Sequence, residues 1–481
     1  MVQKIDRQLK TIFFLVFTAV ANYVTLLLGV IVSGDLPHRY LEENETNISV
    51  PSSSDITVPD PDNIGAVNIV KRSSQFSHET LLPEMKLVSA PTNIINQNFS
   101  VMEIQPRAFL SRSLDTFPCF LMDPQTKWWN VSNKSSSPYH HEGFFFLKTH
   151  KTGSSTGAGI HLRIAQRVAT MIANKKKDIT IITPSLIRHD EKNSTQIVTS
   201  TTPSSSFPMC QTRFDHSTAR KMKYGDRNKE ASFLWTILRD PTERAISQFF
   251  HFEVSRRQVE PTEENFRKFL LSKRARTNGY YLRTLSFRGY VTNKTTSDQS
   301  ITIYSRTVQE IIDGYDFIAI MERMNESAVV LQMLLGLKTI DILYLNAKGS
   351  GGYDAGGYKG KCTHIQEKNV TWGMREFVRT SPEWQAYIKW DKILYDKANE
   401  SLDMTIRALG RDRFQRGLRK FEHALEQARL VCSDKVTFPC SPDRDGQSPL
   451  SRNQTDCLWK DSGCGSECLD SIGSSLEFSQ S

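Results

Sequence analysis

Phe144-Phe145-Phe146-Leu147-Lys148-Thr149-His150-Lys151-Thr152-Gly153-Ser154-Ser155-Thr156 is the stretch on which the reading of this chain turns. Four apolar residues in a row make a short buried strand. A loop of lysines and small hydroxyl residues follows. Ile160, Ile164, Val168 and Ile172, four apart, then mark one face of a helix over Gly157 to Asn174. A strand, a small-residue loop and a helix N-terminus in that order form an anion site, because backbone N–H groups and the positive end of the helix dipole converge on the loop. Lys148 and Lys151 add charge, and Ser154, Ser155 and Thr156 add donors. The G-x-x-x-x-G-K-[ST] loop of nucleotide kinases does not fit, since here the lysine precedes the glycine. The plainer alternative is a basic surface turn that opens a helix.

Outward from this block, strand-like and helix-like runs alternate. Ile179 to Ile182, Phe233 to Leu238, Tyr315 to Met321 and Ile340 to Leu345 read as strands. Ser327 to Leu335 reads as a helix stopped by Gly336, and Pro382 to Leu409 as one stopped by Gly410. A last helix carries Phe414, Leu418, Phe421 and Leu425 on its face. Asp240-Pro241-Thr242-Glu243 has the form of a helix start, with an N-cap, proline at the first helical position and glutamate at the third. Apolar strands alternating with helices predict an α/β fold, a parallel sheet flanked by helices on both sides.

The chain has 481 residues, 38% of them hydrophobic, and a formal net charge of +9. That much apolar material excludes a wholly disordered chain. The charge fits an anionic ligand but is too modest for a nucleic-acid coat, and no nucleic-acid partner is expected. Thr11 to Ser33 is 23 residues without a charge, preceded by Lys4, Arg7 and Lys10 and followed by Asp35, Glu42, Glu43 and Glu45. This predicts a single membrane anchor, with residues 1–10 cytosolic, 11–33 spanning and the rest lumenal. A cleaved signal peptide ending near Ser33-Gly34 is the rival reading, and both send the chain into the secretory pathway. Eleven N-x-Ser/Thr sequons agree with that, at Asn44, Asn47, Asn98, Asn130, Asn133, Asn193, Asn293, Asn325, Asn369, Asn399 and Asn453. Residues 34–105 read as a stem, 106–430 as the catalytic domain and 431–481 as a Cys-rich tail with a disordered end. Five of the eight cysteines, Cys432, Cys440, Cys457, Cys464 and Cys468, crowd into that tail. Zinc is the rival there, but no histidine follows His423, so disulfides of open connectivity are predicted.

A second chemical block is Leu238-Arg239-Asp240-Pro241-Thr242-Glu243-Arg244-Ala245-Ile246-Ser247. Arginine at a strand end forks onto a phosphate. Ser247, two helical turns on, can donate to the same group. The two blocks stand 91 residues apart, from Lys148 to Arg239. They resemble, in order, the 5′-phosphosulfate and 3′-phosphate motifs of sulfotransferases. KTHKTGSST is similar to the loop of the Golgi galactose 3-O-sulfotransferase family, and Tyr315 to Leu337 is a third similar stretch. The resemblance runs from about Phe144 to Leu430.

The resemblance implies a P-loop-kinase-like α/β domain in a Golgi membrane enzyme. It implies 3′-phosphoadenosine 5′-phosphosulfate (PAPS) as co-substrate, no metal, and a glycan or glycolipid acceptor of galactose type. Lys148, Thr149, Thr152, Gly153, Ser154, Ser155 and Thr156, with Arg239 and Ser247, would hold the donor. Lys151 would stabilise charge at the transferred group. His150, inside the loop, is one candidate base; His216 is the second. Gln211 and Thr212 stand where family members tend to carry paired histidines after a Cys. The oligomeric state is left open, a homodimer included.

Other features carry weaker signals. Arg267 to Lys294 holds eight basic residues and no acidic one, which suits a phosphate, an acidic glycan or simply a solvated face. Gly349 to Lys361 is a glycine-rich loop, either a cover for the donor or a mobile connector. Tyr139, His140 and His141 read as packing residues, and Trp128-Trp129 as core rather than a sugar platform. Two rival functions remain. A glycosyltransferase would need an Asp-x-Asp metal site, and Asp443-Arg444-Asp445 reads instead as a turn. A membrane-anchored glycan-binding protein would need no intact donor loop.

Overall fold

The computed structural model describes residues 103–122, 140–175, 207–272, 279–289, 297–346, 348–356 and 360–478. The segments expected as anchor, most of the stem and the Ile179 to Ile182 strand, together with Trp128-Trp129 and Tyr139, lie outside the described residues. Among those described, no helix is long and apolar enough to cross a membrane.

Strands β1 (Cys119–Met122) and β3 (Phe207–Cys210) pair antiparallel and are joined by the Cys119–Cys210 disulfide. The central sheet is built from β2 (Gly143–Leu147), β4 (Thr212–Asp215), β5 (Ser232–Leu238) and β6 (Phe317–Ile320). Its order is β4–β2–β5–β6 and every neighbouring pair is parallel. β2, β5 and β6 are buried along their whole length, which explains why they read as unbroken apolar runs. Helix α1 (Ser154–Lys175) returns from β2, and its predicted apolar face is the one that packs: Ile160, Ile164 and Val168 are buried and Ile172 partly so. The helix starts within the hydroxyl run, three residues before the expected Gly157.

After β5, α2 (Pro241–Gln248) begins as the sequence predicts, with the Asp240 side chain accepting from the N–H groups of Thr242 and Glu243. It runs on as a π-helical turn, Phe249–Ser255, a feature frequent at functional sites. Shorter helices α3 (Glu263–Leu270) and α4 (Tyr280–Leu285) precede α5 (Ser297–Gly314), and α6 (Met324–Leu335) ends at Gly336 in the left-handed conformation. The strand expected over Ile340 to Leu345 is not formed. Thr339–Ile342 is a 3-10 turn closed by Asp341, whose carboxylate accepts from the Lys338 N–H at 2.8 Å. Ile342 and Leu343 are buried without a pairing partner strand, so their apolar run signalled core rather than sheet.

The strand pair β7 (Tyr353–Asp354) and β8 (Thr363–His364) follows, then α7 (Trp372–Thr380), α8 (Pro382–Leu409) and α9 (Arg411–Cys432). The C-terminal segment folds as the hairpin β9 (Cys457–Trp459) and β10 (Ser462–Cys464) and helix α10 (Ser466–Phe478). All eight cysteines are paired. Besides Cys119–Cys210, the bonds are Cys362–Cys440, Cys432–Cys468 and Cys457–Cys464. Asp443 and Asp445 sit at a 3-10 turn, as expected, with Asp445 accepting from the His364 N–H.

Candidate active site at the sheet's switch point

The chain leaves β2 toward β4 on one side and leaves β5 toward β6 on the other. In open parallel sheets such a divergence leaves a crevice at the carboxyl ends of the strands, where ligands bind. Both chemical blocks open onto that crevice. It holds a cleft of about 450 Å³, walled among others by His150, Lys151, Ser154, Thr156, Arg239 and Ser247. Gly153 and Ser155 line it too. The crevice thus brings together groups that lie far apart in the chain.

The loop is held rigidly from beneath. The Thr149 hydroxyl donates to the Ile237 carbonyl at 2.7 Å, and the Thr152 hydroxyl lies 2.7 Å from that of Thr149. Both side chains are fully buried, so their hydroxyls serve the loop's shape. Lys151 adopts φ 63°, a strained conformation for a residue with a side chain. Gly153 has φ 71°, and a Cβ there would stand 2.4 Å from Met321 Sδ, so glycine is required. A pair of buried tyrosines couples the two blocks. The Tyr280 hydroxyl accepts from the His150 N–H at 2.8 Å. The Tyr281 hydroxyl accepts from the Arg239 N–H at 3.0 Å and donates to its carbonyl at 2.7 Å. Arg244 lies 3.9 Å above the Tyr280 ring. Buried Asp391 accepts from the Tyr281 N–H at 3.0 Å, and its carboxyl is pushed up to about 7, chiefly by burial.

The two candidate bases meet. The rings of His150 and His216 stack with centroids 4.1 Å apart and planes 2° from parallel. His216 Nδ1 donates to the Lys148 carbonyl at 3.0 Å, which leaves Nε2 with its lone pair. Burial pushes His150 down to about 4, helped by Arg244, Lys148 and Lys151. His216 is held lower still, by burial first and then by His150 and Lys148. Both imidazoles are therefore neutral near pH 7.

Electrostatically the crevice is cationic. Burial pushes Lys148 down to about 8, with Lys348 and Lys460 adding repulsion. Lys151 falls to about 7, again mainly by burial; Asp354 opposes the shift, while Lys348, Lys368 and Arg239 add to it. Asp354 is 1% exposed and gathers Arg256 (Nε, 2.9 Å), Lys348 (2.8 Å) and His251 (Nε2, 3.4 Å). It ties the glycine-rich loop in place, and Gly349 and Ser350 of that loop line the cleft. Among the described residues, none hydrogen-bonds the buried His251 Nδ1. Crowded, partly desolvated cations fit a polyanion with several acceptor oxygens.

Sequence reasoning missed His251, Arg256, Lys348 and Lys368, all of which line the cleft. One weak signal was present: His251 follows Ser247 by four residues, one helical turn. The basic run fares differently. Arg267, Lys268, Arg283 and Arg288 are not among the cleft's lining residues, and Arg267 pairs with Glu263 instead. Lys273, Arg274, Arg276 and Lys294 lie outside the described residues. His140 is buried, and its carbonyl accepts from Arg213, a packing role as expected.

The fold and crevice define an α/β protein with a cationic crevice at its switch point, and the comparisons give that class a family. The model of the galactose-3-O-sulfotransferase family matches residues 116–439, and the chain belongs to that family. It is 28% identical over 313 residues to galactosylceramide sulfotransferase from Homo sapiens. That match spans 60% of this chain and 63% of the relative's length. No solved structure matches the chain.

Proposed function

We propose that the protein is a sulfotransferase of sulfotransferase fold that uses PAPS to sulfate a hydroxyl of a galactose-type glycan or glycolipid. The carrying observation is the convergence of the two motif blocks on one cationic crevice, with the stacked His150–His216 pair at its wall. Membrane anchoring through Thr11–Ser33 and action in the Golgi lumen belong to the same reading, and rest on the sequence pattern and the family.

The donor supplies the sulfuryl group: an O–S bond forms at the acceptor hydroxyl as the bridging S–O bond breaks, its electron pair leaving with the phosphate. Lys148, Lys151 and the N–H groups at the start of α1 hold the 5′ side and offset the charge that develops there. Arg239 and Ser247 hold the 3′-phosphate. A neutral histidine takes the hydroxyl proton, and His216 offers Nε2 for it. The tyrosine pair keeps both phosphate-binding blocks in register.

The test uses the purified full-length chain and PAP, the desulfated donor product. At about 100 times Kd, PAP should stabilise the fold by about 2.7 kcal/mol, read as a raised Tm. Lys151→Ala and Arg239→Ala should lose that shift. His216→Gln should keep it while turnover drops by roughly 10²–10⁴. A well-folded wild type with no shift would end the sulfotransferase reading.

A further inference from the structure

The sequence reading makes the Cys-rich segment a tail, yet it walls a second cavity. That cavity has a volume of about 550 Å³, within the roughly 300–1,000 Å³ of small-ligand sites. Ser155, His216 and Lys348 line it and the donor cleft alike, so the two spaces meet at the candidate base. The far wall is C-terminal, made by Leu450, Trp459, Lys460 and Asp461.

This wall is built firmly. The β9–β10 hairpin is closed by Cys457–Cys464, and Lys460 takes φ 48° in its turn. Lys348 bridges Asp461 of the hairpin and Asp354 of the glycine-rich loop. Arg163 of α1, 1% exposed, donates to the Ser466 carbonyl at 3.0 Å, to its hydroxyl at 2.8 Å and to Asp470 at 2.9 Å. The Trp459 ring stands edge-on to Phe214 at 6.5 Å, at the cavity's side.

We propose that this cavity is the acceptor site, and that it takes a neutral pyranoside with its C–H face against the Trp459 indole. The proposal rests on the sulfuryl-transfer reading and adds to it where the acceptor sits. An aromatic ring offers an apolar face beside polar groups, the combination a sugar ring requires. Asp215 and Asp461 accept from hydroxyls, and Lys460 donates to them. Lys148, Lys348 and Lys460 share the wall with Asp215 and Asp461, a near balance of charge that suits a neutral polyol better than a strongly charged glycan. The hydroxyl presented to His216 lies where the cavities join. The shared chemistry is a terminal galactose-type pyranoside, whether carried by a lipid or by a soluble oligosaccharide.

The test measures acceptor KM in the full-length protein with PAPS, using lactose and, separately, a galactosyl lipid in phosphatidylcholine vesicles. Trp459→Ala should raise KM about tenfold or more for both carriers, and Trp459→Phe should restore most of it. The PAP-induced rise in Tm and the KM for PAPS should not change. Leu450→Trp, which narrows the cavity from its other side, should also raise acceptor KM, and it keeps the test valid if Trp459→Ala misfolds. Variants that bind PAP as the wild type does and keep acceptor KM within about twofold would overturn the proposal. So would an effect confined to the lipid carrier, which would mark a membrane contact. A wild type that fails to bind PAP would sink the donor reading first, and is distinguishable from both.

Discussion

Lys151 concentrates the chemistry of the site at a single residue. Its ammonium is pushed down to about 7 because burial and neighbouring cations disfavour charge. An anion bound against it favours the charged form, so the free protein must take up a proton when it binds near or above that pH. PAP affinity should therefore fall as pH rises from about 6 to 8.5. Isothermal titration at the two ends of that range would show it, and Lys151→Arg, which stays charged across the range, should flatten the dependence. Equal affinity at both pH values in the wild type would mean that Lys151 stays charged throughout. The histidines make the complementary case. Their neutrality is already present at pH 7, because both are held well below their ordinary value.

Among the elements, α2 shows how a local signal can place a functional group. Asp240 caps it, Pro241 opens it, and Arg239 and Ser247 sit at its two ends. Asp240→Ala leaves two N–H groups without their acceptor and should cost about 1 kcal/mol in urea unfolding. It should also weaken PAP binding, since the cap orients Arg239 and Ser247, the proposed phosphate contacts. Stability loss without any change in PAP affinity would mean that the tyrosine pair alone holds the strand end. The cap, the strand before it and the loop after β2 were all legible in the sequence, because each depends on neighbours within a few residues. The π-helical turn that follows was not, and His251 and Phe252 reach the cleft through it. The apolar run at Ile340 to Leu345 misled for the opposite reason: burial alone cannot tell a strand from a buried turn.

For the whole molecule, the docking of the C-terminal segment against α1 is the decisive assembly. Gly159 lies inside that helix, where alanine ordinarily stabilises by about 1 kcal/mol. Here a Cβ would stand 2.6 Å from the Gly463 backbone nitrogen and 3.0 Å from its Cα. Backbone cannot rotate away as a side chain can, so Gly159→Ala should destabilise by about 1–3 kcal/mol instead. Thermal unfolding would decide the sign, and a raised Tm would mean that the segment is not docked there. The same docking turns a presumed tail into the wall of a cavity, and Arg163 and Trp459 carried no readable sign of it.

Spacing along the chain was enough for the α/β class, the strand–loop–helix at Phe144 to Asn174, the Arg239–Ser247 pair at the cleft and the disulfide chemistry of the cysteines. Those features arise from periodicity, caps and residue type, which act over a turn or two. The meeting of His150 with His216, the Asp354 cluster and the disulfide connectivity were settled by folding. Apart from Cys457–Cys464 and Lys348–Asp354, they join residues tens of positions to about a hundred apart, and only the packed sheet, through its switch point and the segment folded against α1, brings such residues within reach of one another.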